Sequence, residues 1–375
     1  MRDVAVVGAS MIKFGRYPDK NIAQLGAEAV VLALKDAGVE MKQIQALYSG
    51  NLYQTSMSGQ RILQQIGQTG IPVVNVANAC ATGSTAFREA YFAIASGAYD
   101  MVMAVGTEQM GRGLLGAPSD PTTSPEGVVG TGLMPGVFGM AGMEHMRKYG
   151  TTVEQFAKVA VKNHKHSVLN PLAQYQVEMT LEDVLNARMV AYPNTLYMCC
   201  PTGDGAAAAI LCSAEKARQL TSKPVWVKAS VLTSDPWTDR DLTFPDINTL
   251  TRRAAQEAYE QAGLGPKDLD MVELHDCFAT AELLHYENLG LCGEGEAGRM
   301  IDEGRTYNGG DIPVNVSGGL LSKGHPLGAT GVANIAEIVW HLRGEAGQRQ
   351  VEGAKVGLAH VIGLGSACTI HILQR

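Results

Sequence analysis

Two stretches of the chain repeat one order of apolar and polar positions. Residues 25–48 and 250–273, offset by 225, each read as an amphipathic helix. Each helix ends at Ala-Gly (Ala37-Gly38, Ala262-Gly263), and a lysine and a short apolar strand follow. Asn75-Val76 recurs as Asn315-Val316 at an offset of 240, and Ala81-Thr82-Gly83 as Ala329-Thr330-Gly331 at 248, each triplet opening a further helix. The ordered drift means that one unit is written twice with insertions between its parts. Residues 100–108 and 354–366 are short apolar runs that read as buried strands of a parallel sheet. The pattern predicts two similar α/β layers around a shared helical core.

The rhythm divides the chain into a first half (1–110 with 199–222), an insertion (111–198) and a second half (223–375). The insertion begins rich in Gly, Pro and Met, then shows helical pattern at 153–167 and 181–189. It is too long for an ordinary connection and reads as a lid over a site.

At about 150 residues per domain, 375 residues make two domains or one large duplicated one. A chain this long buries enough surface to need no disulfide or metal staple. Charged residues are only 18%, against 46% apolar residues and 43 glycines, so the packing is dense with many turns. The net charge of −7 with no basic run argues against nucleic acid or an anionic membrane, and leaves room for a small anionic ligand in a local pocket. The amino terminus runs directly into a strand pattern without an export signal, and no apolar run approaches a membrane span. A cytoplasmic location is expected. The seven cysteines include no C-x-x-C pair, so thiol chemistry is expected rather than a disulfide framework or a metal site.

Cys80 follows an apolar strand at 73–77 and precedes a helix of small residues. Cysteines are usually buried and structural. At a helix amino terminus, however, the dipole and free N–H groups lower a thiol pKa and favour a thiolate nucleophile. At the equivalent corner of the second copy His325 stands before Pro326 among glycines, where the repeat would bring it close to Cys80 as a base. Such a histidine in isolation is more often a turn residue. A third element, Glu273-Leu274-His275-Asp276-Cys277-Phe278, follows a strand at 269–274. On extended backbone His275 and Cys277 share a side, though a helix start capped by Asp276 explains the segment equally well.

The motifs NACATGSTA around Cys80, GHPLGATG around His325 and Thr202-Gly203-Asp204-Gly205-Ala206-Ala207, in this order, resemble those of the thiolase family over essentially the whole chain. His275-Asp276-Cys277-Phe278 is similar to the loop of the sterol-carrier-protein branch and its bacterial and archaeal relatives. The Cys-x-Gly loop of ordinary thiolases is replaced here by Ala359-His360-Val361-Ile362-Gly363-Leu364-Gly365, and Cys368 lies too far along to substitute.

The resemblance implies a duplicated thiolase fold, two βαβαβαββ halves in five layers (α/β/α/β/α). It implies that Cys80 is acylated, that His325 takes its proton, and that Cys277 serves as the relocated acid/base at the α-carbon. His275 and His325 would hold the enolate oxygen, while the N–H of Cys80 and one from the loop at 360–365, Val361 and Gly363 among its residues, would hold the acyl-enzyme oxyanion. The implied reaction is reversible CoA-dependent cleavage of a 3-oxoacyl-CoA, or the corresponding Claisen condensation. CoA is a substrate, and no cofactor or metal is required. Arg147, Lys148, Lys162, His164 and Lys165 are candidate CoA contacts, the alternative being a solvated helix face. The resemblance also implies a homodimer and a small zinc-ribbon/OB-fold partner that would dock on Met-rich loops at 134–146. A retro-aldol carbon–carbon lyase, suggested by residues 162–175 and 192–196, and an inactive CoA-binding scaffold are the competing readings. The sequence leaves the acyl chain undecoded.

Overall fold

A computed structural model describes residues 1–54, 56–111, 133–221, 223–236, 247–364 and 366–375. The first half runs β1 (Val4–Met11), α1 (Ile22–Ala37), β2 (Leu47–Gly50), α2 (Ser58–Ile66), β3 (Val73–Val76), α3 (Thr82–Ala95) and β4 (Met101–Gln109). The insertion supplies α4 (Met134–Tyr149), α5 (Val153–Ser167), α6 (Leu181–Leu185), β5 (Met189–Ala191) and β6 (Asn194–Thr195). The chain then returns through β7 (Asp204–Ser213) and α7 (Ala214–Leu220). The second half holds β8 (Val225–Thr233), α8 (Ile247–Ala262), β9 (Met271–Glu273), α9 (Ala279–Asn288) and α10 (Ala297–Asp302). It closes with α11 (Gly319–Ser322), α12 (Leu327–Arg343), β10 (Val356–Gly363) and β11 (Ala367–Gln374).

The sequence repeat is visible in α1 and α8, each of 16 residues and offset by 225. Asn21 caps α1 through a reciprocal pair with Gln24, and Gly38 ends it in the left-handed region at φ 67°. Gly263 occupies the same region after α8, at φ 66°.

Apart from β5 and β6, which pair with each other, the described strands form one sheet in the order β3-β2-β4-β7-β1-β8-β11-β10-β9. It is mixed rather than parallel as the apolar runs suggested. β4 is parallel to β2 but antiparallel to β7, and β10 is parallel to β9 but antiparallel to β11. A fully buried strand carries the same apolar run in either orientation, so the run cannot report direction. The halves meet where β1 and β8 share only two residue pairs, Ala5 with Trp226 and Val6 with Val225.

Helices α3 and α12 pack against each other between the half-sheets. α12 touches β4, β7 and β1 on one side and β10 and β9 on the other. With α1 outside the first half-sheet and α8 outside the second, the layers are helix, sheet, helix, sheet, helix. In the second half the counterpart of β3 is reduced to a single bridge between Val272 and Val314. The central core joins Val102, Ala104 and Ala209 of the first half to Ile335, Val339 and Leu373 of the second.

The Met-rich stretch expected as an exposed loop at 134–146 is the helix α4. Its Val137 and Phe138 are buried, and Met134 and Met146 pack against the second-half core. The expected helix at 181–189 stops at Leu185, after which the chain turns into the β5–β6 hairpin. The Gly/Pro-rich part of the insertion at 112–132 lies outside the described residues.

Candidate active site

Cys80 sits at the tip of a tight turn between β3 and α3. The Thr82 hydroxyl accepts the Asn78 N–H (2.8 Å) and donates to the Ala79 carbonyl (2.6 Å), while Ala79 adopts φ 47°, which an L residue holds only under constraint. Gly363 lies against this turn so closely that an added Cβ would stand 2.3 Å from the Asn78 carbonyl oxygen. Only Ala81 separates Cys80 from the first residue of the helix, and only 6% of Cys80 is exposed. Burial pushes its thiol up to about 12, opposed in part by hydrogen bonds from the backbone N–H groups of Leu364 and Cys80 itself. This corrects the expected helix-activated thiolate. Desolvation outweighs the helix terminus, and the resting group is a neutral thiol.

His325 precedes α12, and its protonation is set by a short relay. The Thr330 hydroxyl donates to the Pro326 carbonyl (3.0 Å) and so accepts from His325 Nδ1–H (2.8 Å). Nε2 then carries the lone pair, is buried, and has no hydrogen-bond partner among the described residues. Burial, reinforced by His275 and Lys323, pulls the imidazole well below the usual histidine range and keeps it neutral. Behind it Lys323 is held by Asn334 (2.9 Å) and Glu273 (3.4 Å).

The third element leaves β9 with His275. Its ring meets that of His325 edge to face, centroids 5.1 Å apart, and burial holds it neutral with a pKa lowered to about 3. Its backbone N–H donates to His360 Nδ1 (3.4 Å). Asp276 does not cap the helix that follows it, as one reading of the segment had it. Its carboxylate accepts from Leu320 N (2.7 Å), Leu321 N (3.2 Å) and Asn163 Nδ2 (2.8 Å), capping α11 instead. Cys277 lies beside Cys200, whose N–H donates to the Cys277 carbonyl (2.9 Å), and burial raises its thiol well above the ordinary value.

These residues converge. The sulfur of Cys80 and one nitrogen each of His275 and His325 lie within 4.8 Å of one another. Cys80, His275, Cys277 and His325 line a cavity of about 450 Å³ whose other walls include Met110, Met134, Phe138, Leu196 and Phe278. Met134, Phe138, Arg188 and Leu196 of this lining belong to the insertion. Val361 is buried and packs with Cys80, Ala81, Met110 and Leu327.

The proposed CoA contacts are not in this cavity. Lys162 is fully buried, paired with Glu282 and donating to the Val314 carbonyl (2.7 Å), and His164 is buried against the Ser322 hydroxyl (3.2 Å). Neither can reach a ligand: the pattern at 162–165 puts these polar heads on the face that seals α5 to the second half. Arg147 is exposed and pairs with Glu144, Lys148 lies over the Tyr149 ring and Lys165 over that of Tyr307, all away from the cavity lining.

Three residues escaped the sequence reading. Arg188 supplies a cation to the cavity wall. Cys200 adds a further thiol. Glu108, at the end of β4, accepts from Leu52 N (3.0 Å), Tyr53 N (3.2 Å) and Asn51 Nδ2 (3.1 Å) in the first half and from Gly328 N (3.2 Å) in the second, with burial lifting its carboxyl to about 7. Only the apolar-run-then-acid pattern at the end of β4 could have signalled it.

Residues 4–190 match the family description "Thiolase, N-terminal domain" and residues 237–375 "Thiolase C-terminal domain-like". The chain belongs to the thiolase family. Within the family it is 45% identical over 390 residues to an acetyl-CoA acetyltransferase of Methanothermobacter thermautotrophicus, covering all of both chains. It is 44% identical over 391 residues to rabbit (Oryctolagus cuniculus) sterol carrier protein 2, covering 99% of this chain and 72% of the relative, which fits the sterol-carrier-protein type of the 275–278 loop. Among solved structures the Ltp2-ChsH2(DUF35) aldolase superposes with a TM-score of 0.84 at 26% identity, over 99% of this chain and 97% of that one. The family makes this chain an enzyme of the acyltransferase class. Among the described residues no helix is long and apolar enough to cross a membrane.

Proposed function

We propose that this thiolase cleaves a 3-oxoacyl-CoA, or condenses acyl-CoAs, through an acyl-enzyme on Cys80. The observation that carries the reading is the Cys80–His275–His325 cluster with the Cys277 thiol on the same cavity. In the cleavage direction the Cys80 sulfur attacks the C3 carbonyl carbon, and its proton passes to His325 Nε2. The C2–C3 bond breaks, and its electron pair forms the enolate of acetyl-CoA. Cys277 gives its proton to C2, and acetyl-CoA leaves. The thiol of incoming CoA yields its proton to the Cys277 thiolate and attacks the thioester, and the Cys80 sulfur departs as the shortened acyl-CoA forms and takes back the proton held by His325.

His275 and the His325 ring, which holds the Cys80 proton at Nε2 at this stage, face the enolate oxygen. The Leu364 and Cys80 N–H groups, already directed at the sulfur, suit the oxyanion of the acyl-enzyme step. The largely apolar cavity wall favours an apolar acyl group, and Arg188 is the cation best placed for an anionic part of the CoA ester. The likeness to the Ltp2-ChsH2(DUF35) aldolase supports two further points: a small zinc-ribbon/OB-fold partner and, as a second reading, retro-aldol cleavage of a CoA ester. Retro-aldol chemistry needs a base but no sulfur nucleophile, so the Cys80–His325 pair favours the thiolase reading. β3 ends the sheet with Val74 exposed, a suitable edge for a homodimer. Seven free thiols suit the cytoplasm.

The Cys277→Ala variant separates the two thiols. Acylation of Cys80 by an acyl-CoA, which breaks no carbon–carbon bond, persists in it while carbon–carbon bond formation falls by about two orders of magnitude or more. Full condensation activity in this variant overturns the role of Cys277.

A further inference from the structure

The same three residues that suit acyl transfer also form an arrangement that acyl transfer does not require. A tetrahedral zinc ion holds a sulfur and an imidazole nitrogen about 3.6 Å apart and two imidazole nitrogens about 3.4 Å apart. The sulfur of Cys80 and the two ring nitrogens lie within 4.8 Å of one another, so rotation of the side chains by about 1 Å closes the set around one ion. Two buried ring nitrogens at this corner, His325 Nε2 and His275 Nδ1, have no hydrogen-bond partner among the described residues. For His325 the Thr330 relay leaves Nε2 as the lone-pair nitrogen, the form a metal takes. No carboxylate belongs to the cluster, and a sulfur with two imidazoles selects a borderline-soft cation over magnesium or calcium. The fourth coordination position opens on the cavity.

We propose that Cys80, His275 and His325 form a reversible binding site for zinc or a similar thiophilic divalent cation, which blocks the cavity when occupied. The Cys80 thiol proton leaves to solvent as the sulfur–metal bond forms, and no electrons change hands. The site needs no acyl-enzyme to exist, so it stands or falls independently of the reaction assigned to the enzyme.

The test uses the full chain and cobalt(II) as a spectroscopic stand-in for zinc. Adding cobalt(II) gives a thiolate-to-cobalt charge-transfer band with the ligand-field absorption of a tetrahedral site, and zinc bleaches it. The band is lost in Cys80→Ser and retained in Cys277→Ser and Cys200→Ser. His275→Ala and His325→Ala each weaken zinc binding at least about tenfold. On the unmodified chain, zinc slows iodoacetamide labelling of Cys80 at least about tenfold without slowing that of Cys292, a half-buried thiol outside the cavity lining, read by peptide mass spectrometry. A band that survives in Cys80→Ser, or Cys80 labelling indifferent to zinc, overturns the proposal.

Discussion

At Cys80 two effects compete, and their sizes decide the resting chemistry. A helix amino terminus contributes at most ~2 kcal/mol in favour of a negative charge, and its reach fades within the first turn. Burial of the sulfur, with 6% of the residue exposed, lifts the thiol to about 12. Both members of the Cys80–His325 pair are therefore neutral at pH 7, and the proton moves to Nε2 only as the sulfur attacks. The sign follows directly: the thiolate fraction rises about tenfold per pH unit below the thiol pKa. Alkylation of Cys80 by iodoacetamide is expected to climb with that slope from pH 7 to pH 10. A rate that levels off below pH 9 is the outcome a helix-activated thiolate would give. Thr330 deserves its own test because it fixes the tautomer of His325 without touching substrate. Thr330→Val is expected to lower kcat by roughly a hundredfold with little change in KM, at a stability cost of ~1 kcal/mol, and Thr330→Ser is expected to restore it.

At the scale of the elements, small residues let the catalytic corners meet. An added methyl at Gly106 would lie 2.1 Å from the Gly328 carbonyl oxygen, and one at Gly328 would lie 2.3 Å from that of Thr107. Both obstacles are backbone, so neither strand nor helix can yield without moving a catalytic loop. Gly106→Ala is expected to destabilise the protein by ~3 kcal/mol in chemical denaturation, while Gly15→Ala, whose methyl meets nothing within 4 Å, stays within ~0.5 kcal/mol. Much of this level was legible in the sequence. The repeated amphipathic pattern located α1 and α8, and residues 153–167 gave α5 with both its ends. Strand direction was not legible, because β4 and β10 are apolar on both faces. The burial of Lys162 was hidden for a related reason: a charged residue on a helix reads as solvent-facing until its partner, here Glu282 more than a hundred residues away, is known.

Over the whole molecule, the site exists only because two copies of one unit dock. Cys80 comes from the first half, and His275, Cys277 and His325 from the second. The half-sheets themselves share just the short β1–β8 contact, so the paired helices α3 and α12 and the Glu108 carboxylate align the two corners. The repeat in the sequence announced that docking and the meeting of Cys80 with His325. It could not announce Glu108, Arg188 or Cys200, whose roles depend on what the opposite half and the insertion bring to them. The most direct measurement is peptide-level mass spectrometry of the enzyme after brief incubation with a panel of 3-oxoacyl-CoAs. The shortened acyl group is expected on the peptide containing Cys80, and no adduct in Cys80→Ser. Carbon–carbon cleavage at full rate in Cys80→Ser, or an acyl group carried on another residue, contradicts the account.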